Sequence, residues 1–116
     1  MYTIRNRAMI IGNVGIQEPI KHIGDKSSVI RLSVATDDSY KDKAGNKIDE
    51  VTWHNVVLWD SLARYIEKYS NKGTLLAVSG KIVNRSYDDA NGNKRYITEI
   101  RADEVTILAN GKKVTE

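Results

Sequence analysis

A single stretch of this chain, "DSLARYIEKYSNKG" at residues 60–73, carries a helical signature, and its place between two sets of strands limits the folds available. Asp60 or Ser61 can cap its first turn, Leu62, Ile66 and Tyr69 recur at helical spacing, and Gly73 stands ready as the left-handed stop. Three extended segments precede it. The first runs from about Ala8 through "IIGNVG" to about Ile23, bent near Gly12 and Gly15 and interrupted or edged by Pro19, which cannot donate to a ladder. The second, "SSVIRLSVAT", alternates, with Ile30, Leu32 and Val34 on one face and Arg31 and Ser33 on the other. The third is "VTWHNVVLW". After the helix come "TLLAVSGKIVNRSY" and "RYITEIRADEVTIL", joined by a turn centred on Asn91-Gly92. A polar loop, "DDSYKDKAGNKIDE", separates the second and third strands. No internal repeat or low-complexity tract stands out.

Three strands, one helix and two strands in 116 residues predict one domain, all-β with one helix. That order matches the OB-fold, a five-stranded Greek-key barrel with the helix between strands 3 and 4, and a mixed meander shares it. The domain is expected over residues 1–108, with 109–116, "ANGKKVTE", as a short polar end. The longest apolar runs, such as Val56 to Trp59, span four residues, whereas a membrane helix needs roughly 20. With no cysteine, disulfides and thiolate metal sites are excluded, which fits a reducing interior. The formal charge of +3 tilts the expectation only mildly towards a polyanionic partner.

The placement of charge says more. On "VTWHNVVLW", Val51, Trp53, Asn55, Val57 and Trp59 share one face, and Thr52, His54, Val56 and Leu58 the other. On the following strand, Leu76, Val78, Gly80 and Ile82 share a parity opposite to that of Lys81, Val83, Arg85 and Tyr87. Charge is costly to bury unpaired, so the parity of Lys81 and Arg85 is predicted to face out. The indoles are then neighbours of cations on one sheet surface. Tyr40 ("DDSYKDK") and Tyr87 ("NRSYDDA") sit in polar company that no core periodicity claims. Two tryptophans in a strand alone would more often be core. Four aromatics flanked by polar or basic residues suit unpaired nucleobases, which stack on rings at about 1–3 kcal/mol each while Lys and Arg neutralise phosphates.

Four ordered pieces, "IIGNVGIQEP", "IRLSVATDDSYKDKAGN", "TWHNVVLWDSLARYIEKYSNKG" and "VSGKIVNRSYDDANGNKRYITEI", span about residues 4–108. Together they resemble one family, the bacterial-type single-stranded DNA-binding proteins (SSB). The resemblance implies sequence-tolerant binding of single-stranded DNA in replication, recombination and repair, without catalysis or cofactor, in the bacterial cytoplasm and nucleoid. Its stacking aromatics fall on Tyr40, Trp53, Trp59 and Tyr87, the first and last of which are often tryptophan in relatives. Basic residues expected to meet phosphate are Arg5, Arg7, Lys41, Lys43, Lys47, Lys72, Lys81, Arg85, Lys94 and Arg95. The resemblance further implies a homotetramer paired through the first strand, with His54 near the subunit interface; from the residues alone His54 is a satisfied core histidine. Relatives usually continue into a linker and an acidic tip that recruits replication and repair proteins. The end of this sequence, "NGKKVTE", lacks that acidic character.

Rival classes find less support. Asp37-Asp38 and Asp88-Asp89 are adjacent pairs whose side chains point apart on an extended chain, so turn formation is the expected role. Gly12-x-x-Gly15 lacks the Lys-Ser/Thr of a phosphate-binding loop. A protein-docking OB domain of the primosome type, or an RNA-binding one, shares the fold and remains the alternative.

Overall fold

The structure, a computed structural model, describes residues 4–110; the polar end from 111 onwards lies outside the described residues. Its elements in chain order are β1 (Ala8–Gln17), β2 (Lys21–Ile23), β3 (Ser27–Asp37), β4 (Tyr40–Lys41), β5 (Lys47–Ile48), β6 (Val51–Trp59), α1 (Ser61–Tyr69), β7 (Leu75–Asp88) and β8 (Lys94–Ala109). Pro19 falls in the break between β1 and β2, as its missing N–H requires. The main sheet runs β1-β7-β8-β6-β3-β2, and β1 also pairs with β3. The ladder therefore returns on itself through β1, β7, β8, β6 and β3. β6 and β8 run parallel, and the other neighbours antiparallel. With α1 between β6 and β7, this is the OB-fold arrangement.

The alternating positions fill the interior. Ile30, Leu32 and Val34 of β3, Val56 and Leu58 of β6, Leu76 and Val78 of β7 and Ile100 of β8 form one buried cluster with Val14. The helix packs against β3, β6 and β8 and adds Ala63 and Ile66.

Its ends and face differ from the expectation. The helix stops at Tyr69, with Ser70 extended, and Gly73 takes its positive φ of 94° in the turn entering β7. Asp60 makes no side-chain cap bond. Its Oδ1 instead accepts the Ser28 N–H at 3.1 Å, and its own N–H donates to the Ser28 carbonyl at 2.8 Å. The helix start is thus tied to β3. Tyr69 is exposed and packs beside Tyr65 with ring centres 5.5 Å apart, while Ala63 takes the core position.

Two strand assignments also need correcting. Val57 is buried although its parity faces outward; its neighbours across the two ladders are Arg31 and Arg101, whose long stems can cover it. Ile82 was expected inside but is 43% exposed. A register shift lies between Ser79 and Gly80, and β8 meets β6 only at Glu99–Arg101. Past Val83 the paired β7 and β8 therefore leave the barrel as a two-stranded arm.

The structure also exposes a short repeat missed in the sequence. Ser39–Lys47 and Ser86–Lys94 both read Ser-Tyr-x-Asp-x-x-Gly-Asn-Lys. Asp42 Oδ1 accepts the N–H groups of Ala44 and Asn46, and Asp89 Oδ1 accepts those of Asn91 and Asn93, every bond at 2.9 Å. Gly45 and Gly92 each donate to the carbonyl of their aspartate at 3.0 Å, closing the same turn with positive φ. Tyr40 and Tyr87 precede these turns by two residues.

Candidate nucleic-acid interface

The question left by the two indoles is answered by position on the sheet. Trp53 is 59% exposed, and Trp59 is half-buried on the same outer face. Opposite Trp53 across the β3–β6 ladder stands Ala35, a small residue that leaves the ring room to lie across β3 towards β1. Its far edge covers Gly15, where an added Cβ would come within 2.3 Å of Cζ3 and 2.6 Å of Cη2. Glycine at this position thus serves the ring, since only a bare backbone permits so close an approach.

Two hollows flank the indole. One, of about 360 Å³, is lined by Gly15, Ile16, Ser33, Trp53 and Lys72. The other, of about 330 Å³, includes Ala8, Ile10, Trp53, His54 and Ile82 at the mouth of the barrel. The first joins an apolar wall to an ammonium group, the pairing a base and its phosphate require.

The other aromatics keep cationic company. The Arg101 guanidinium lies 5.9 Å from the Trp59 ring centre, and that of Arg85 5.8 Å from Tyr87, both within cation–π reach. Tyr40 is exposed on the β4–β5 hairpin, with Lys41, Lys43 and Lys47 exposed around its tip.

The ten basic candidates fall into different settings. Lys41, Lys43, Lys72, Lys81, Lys94 and Arg5 are exposed. Lys47 stands 3.7 Å from Asp49, Arg7 pairs with Asp103 at 3.3 Å, and Arg95 donates to Asp89 at 2.8 Å. Pairs of this kind at or near the surface are worth little to stability. Arg85 is held differently, by two bonds from its guanidinium to Glu99 at 3.1 and 3.3 Å. His54 is half-buried at the barrel mouth, its Nε2 3.1 Å from Thr36 Oγ1.

Arg31, Arg101 and Glu99 were not singled out from the sequence. On β8, Arg95, Ile97, Glu99 and Arg101 share one parity and mix charged with apolar side chains. Only the register, which sets Glu99 opposite Asn55 and Val83, shows that they join this face.

The aspartate pairs serve turns. Hydrogen bonds from Ser39 hold the Asp37 carboxyl below its ordinary value, and the bond from Arg95, with the Asn93 and Asn91 N–H groups, does the same for Asp89. Among the described residues, no three acidic or histidine side chains gather where they could hold a metal ion, and no helix is long and apolar enough to cross a membrane.

Known proteins resemble this chain along most of its length. It is 40% identical over 109 residues to Single-stranded DNA-binding protein 1 of Xylella fastidiosa, covering 93% of this chain and 79% of that one. It is 42% identical over 106 residues to the Single-stranded DNA-binding protein of Bacteroides thetaiotaomicron, covering 90% of this chain and 66% of the relative. Among solved structures, the Plasmodium falciparum SSB in complex with ssDNA superposes with a TM-score of 0.80 at 27% identity, covering 93% of this chain and 98% of that one. The model of the single-strand binding protein family matches residues 5–108, and the chain belongs to that family.

Proposed function

We propose that this protein binds single-stranded DNA with little regard to sequence and protects it during replication, recombination and repair. The observation that carries the reading is the Trp53 indole laid over Gly15, largely open to solvent, with Lys72 at the edge of the same hollow. Bases stack on Trp53, Trp59, Tyr40 and Tyr87, while phosphates meet Lys72, Lys81, Lys94, the lysines of the β4–β5 tip and the candidate arginines. Stacking needs only a π-face, so any base serves. The protein acts by binding, not catalysis, and works where DNA is, in the cytoplasm and nucleoid.

It assembles as a homotetramer in which subunits pair through β1 and His54 lies near the contact. The exposure of Met9 and Ile11 on β1 supports this, because apolar side chains on an outer barrel face gain by being covered. Analytical ultracentrifugation giving a monomer at micromolar concentration would remove this assembly.

Titration with oligo-dT, followed by tryptophan fluorescence, tests the binding. Stacking quenches Trp53 and Trp59, and the logarithmic affinity falls with salt by roughly 0.7 per phosphate contacted. Duplex DNA, whose base faces are hidden, binds far more weakly. A fluorescence unchanged by oligo-dT, or equal affinity for duplex at moderate salt, refutes the reading.

A further inference from the structure

The Glu99 carboxylate is the most enclosed charge on the outer face, its side chain 5% exposed. An acidic group on a surface meant for phosphates demands an explanation, and its partners supply one. Arg85 grips it with a two-pronged hydrogen bond, at 3.1 Å from Nε and 3.3 Å from Nη2. Arg31, from β3, brings Nη1 to 3.7 Å from the same carboxylate, an ion pair beyond hydrogen-bond reach. That Nη1 is buried and has no hydrogen-bond partner among the described residues. The three side chains line a hollow of about 210 Å³ together with Glu18, Asn55 and Ile97.

The arrangement lies among the stacking residues. Asn55 follows Trp53 by two residues and faces Glu99 across the β6–β8 ladder; Val83, also opposite Glu99, precedes Arg85 by two and Tyr87 by four. Without the carboxylate, two guanidinium groups would repel each other and splay towards water. With it, the ion-paired trio of Arg31, Arg85 and Glu99 holds two positive charges and one negative and so carries a single positive charge, fixed in place, with Arg31 Nη1 still to be satisfied; Glu18, also on the wall of the hollow, is exposed to solvent and pairs with neither arginine. A phosphodiester carries one negative charge and acceptor oxygens, which is the complement.

We infer that Glu99 is a positioning residue that holds Arg31 and Arg85 as a pair, so that they receive one phosphate of the strand stacked on Trp53 and Tyr87. The inference rests on the single-stranded DNA reading and adds to it a role for a carboxylate that never touches the nucleic acid.

Sign separates this from plain electrostatics. Glu99→Gln raises the net charge by one, so a surface acting only through its total charge binds oligo-dT more tightly. A positioning role predicts several-fold weaker binding. Arg31→Gln leaves the Arg85–Glu99 fork intact and should lower the slope of log affinity against log salt by roughly 0.7, the loss of one phosphate contact. It should also shrink the effect of Glu99→Gln in the double variant. Weaker binding by Glu99→Gln, with the flatter slope of Arg31→Gln, supports the inference. Equal or tighter binding by a folded Glu99→Gln, or an unchanged slope for Arg31→Gln, overturns it while leaving the wider reading in place. Should Glu99→Gln fail to fold, the Arg31→Gln slope decides alone. Wild-type protein that ignores oligo-dT overturns both.

Discussion

Gly15→Ala isolates the support of one ring. The new methyl carbon would stand 2.3 Å from Cζ3 and 2.6 Å from Cη2 of Trp53, and 3.1 Å from Ser33 Oγ. Carbon pairs rest at about 3.5–4.0 Å, so the ring edge has to retreat by roughly 1.2–1.7 Å. It can do so, because the obstructed atoms are the far end of a side chain on an open face. The backbone adds no strain, since Gly15 is not among the positive-φ glycines. Replacing glycine within a strand even favours folding by about 0.5–1 kcal/mol. The domain should therefore keep its melting temperature. Binding should suffer, because the indole no longer lies in its stacking plane. The ceiling is one full stacking interaction, about 1–3 kcal/mol, or about 5- to 150-fold in affinity. The assay pairs oligo-dT titration by tryptophan quenching with thermal unfolding followed by circular dichroism. In a Trp53→Ala background the same substitution should cost almost nothing. Unaltered binding and quenching by Gly15→Ala would refute the reasoning, and so would unfolding. Gly12 provides the contrast: a Cβ there would meet the Ala35 carbonyl oxygen at 2.2 Å, a backbone atom that cannot step aside, so Gly12→Ala should destabilise the barrel itself.

Trp53→Ala should weaken oligo-dT binding by about 1–3 kcal/mol while the far-ultraviolet spectrum and unfolding midpoint stay close to wild type; loss of the fold would assign the ring to the core. Leu58→Ala, at a fully buried position, should lower stability by about 2–5 kcal/mol in urea titration. Asp89, held below its ordinary value of 3.8, contributes stability above that pH and loses it as pH falls through its lower folded value. The amide signals of Asn91 and Asn93 should accordingly titrate below pH 3.8, and a transition at or above it would contradict the bonding seen.

Much of the barrel was legible because its strands are buried on one face only. Ile30, Leu32 and Val34, and Val56 with Leu58, declared their side by alternation, and that parity turned Trp53 outward. Legibility failed where a third element intervened. Tyr69 has helical spacing, but the helix stops beside it and leaves the ring in solvent. Ile82 keeps the parity of Leu76 and Val78, but β1 pairs with β7 only as far as Gly80 and the arm departs just beyond, which uncovers it. In the candidate site the rings were readable from their polar surroundings. Arg31 and Glu99 were not, because neither has meaning until β3, β6, β8 and β7 are laid side by side. The basic residues were readable as charge only: nothing along the chain distinguishes Arg85, clasped by a carboxylate, from Lys81, which stands exposed.

The recurrence at Ser39–Lys47 and Ser86–Lys94 makes the two hairpin tips interchangeable parts. In each an aspartate supplies the acceptors and a glycine the left-handed bend, and the second is braced further by Arg95 of β8, which donates to Asp89. Residues 42–46 and 89–93 could be exchanged for one another with the strands unchanged. Evolution, or an engineer, is thereby free to alter the reach and charge of the two tyrosine-bearing fingers independently of the domain beneath.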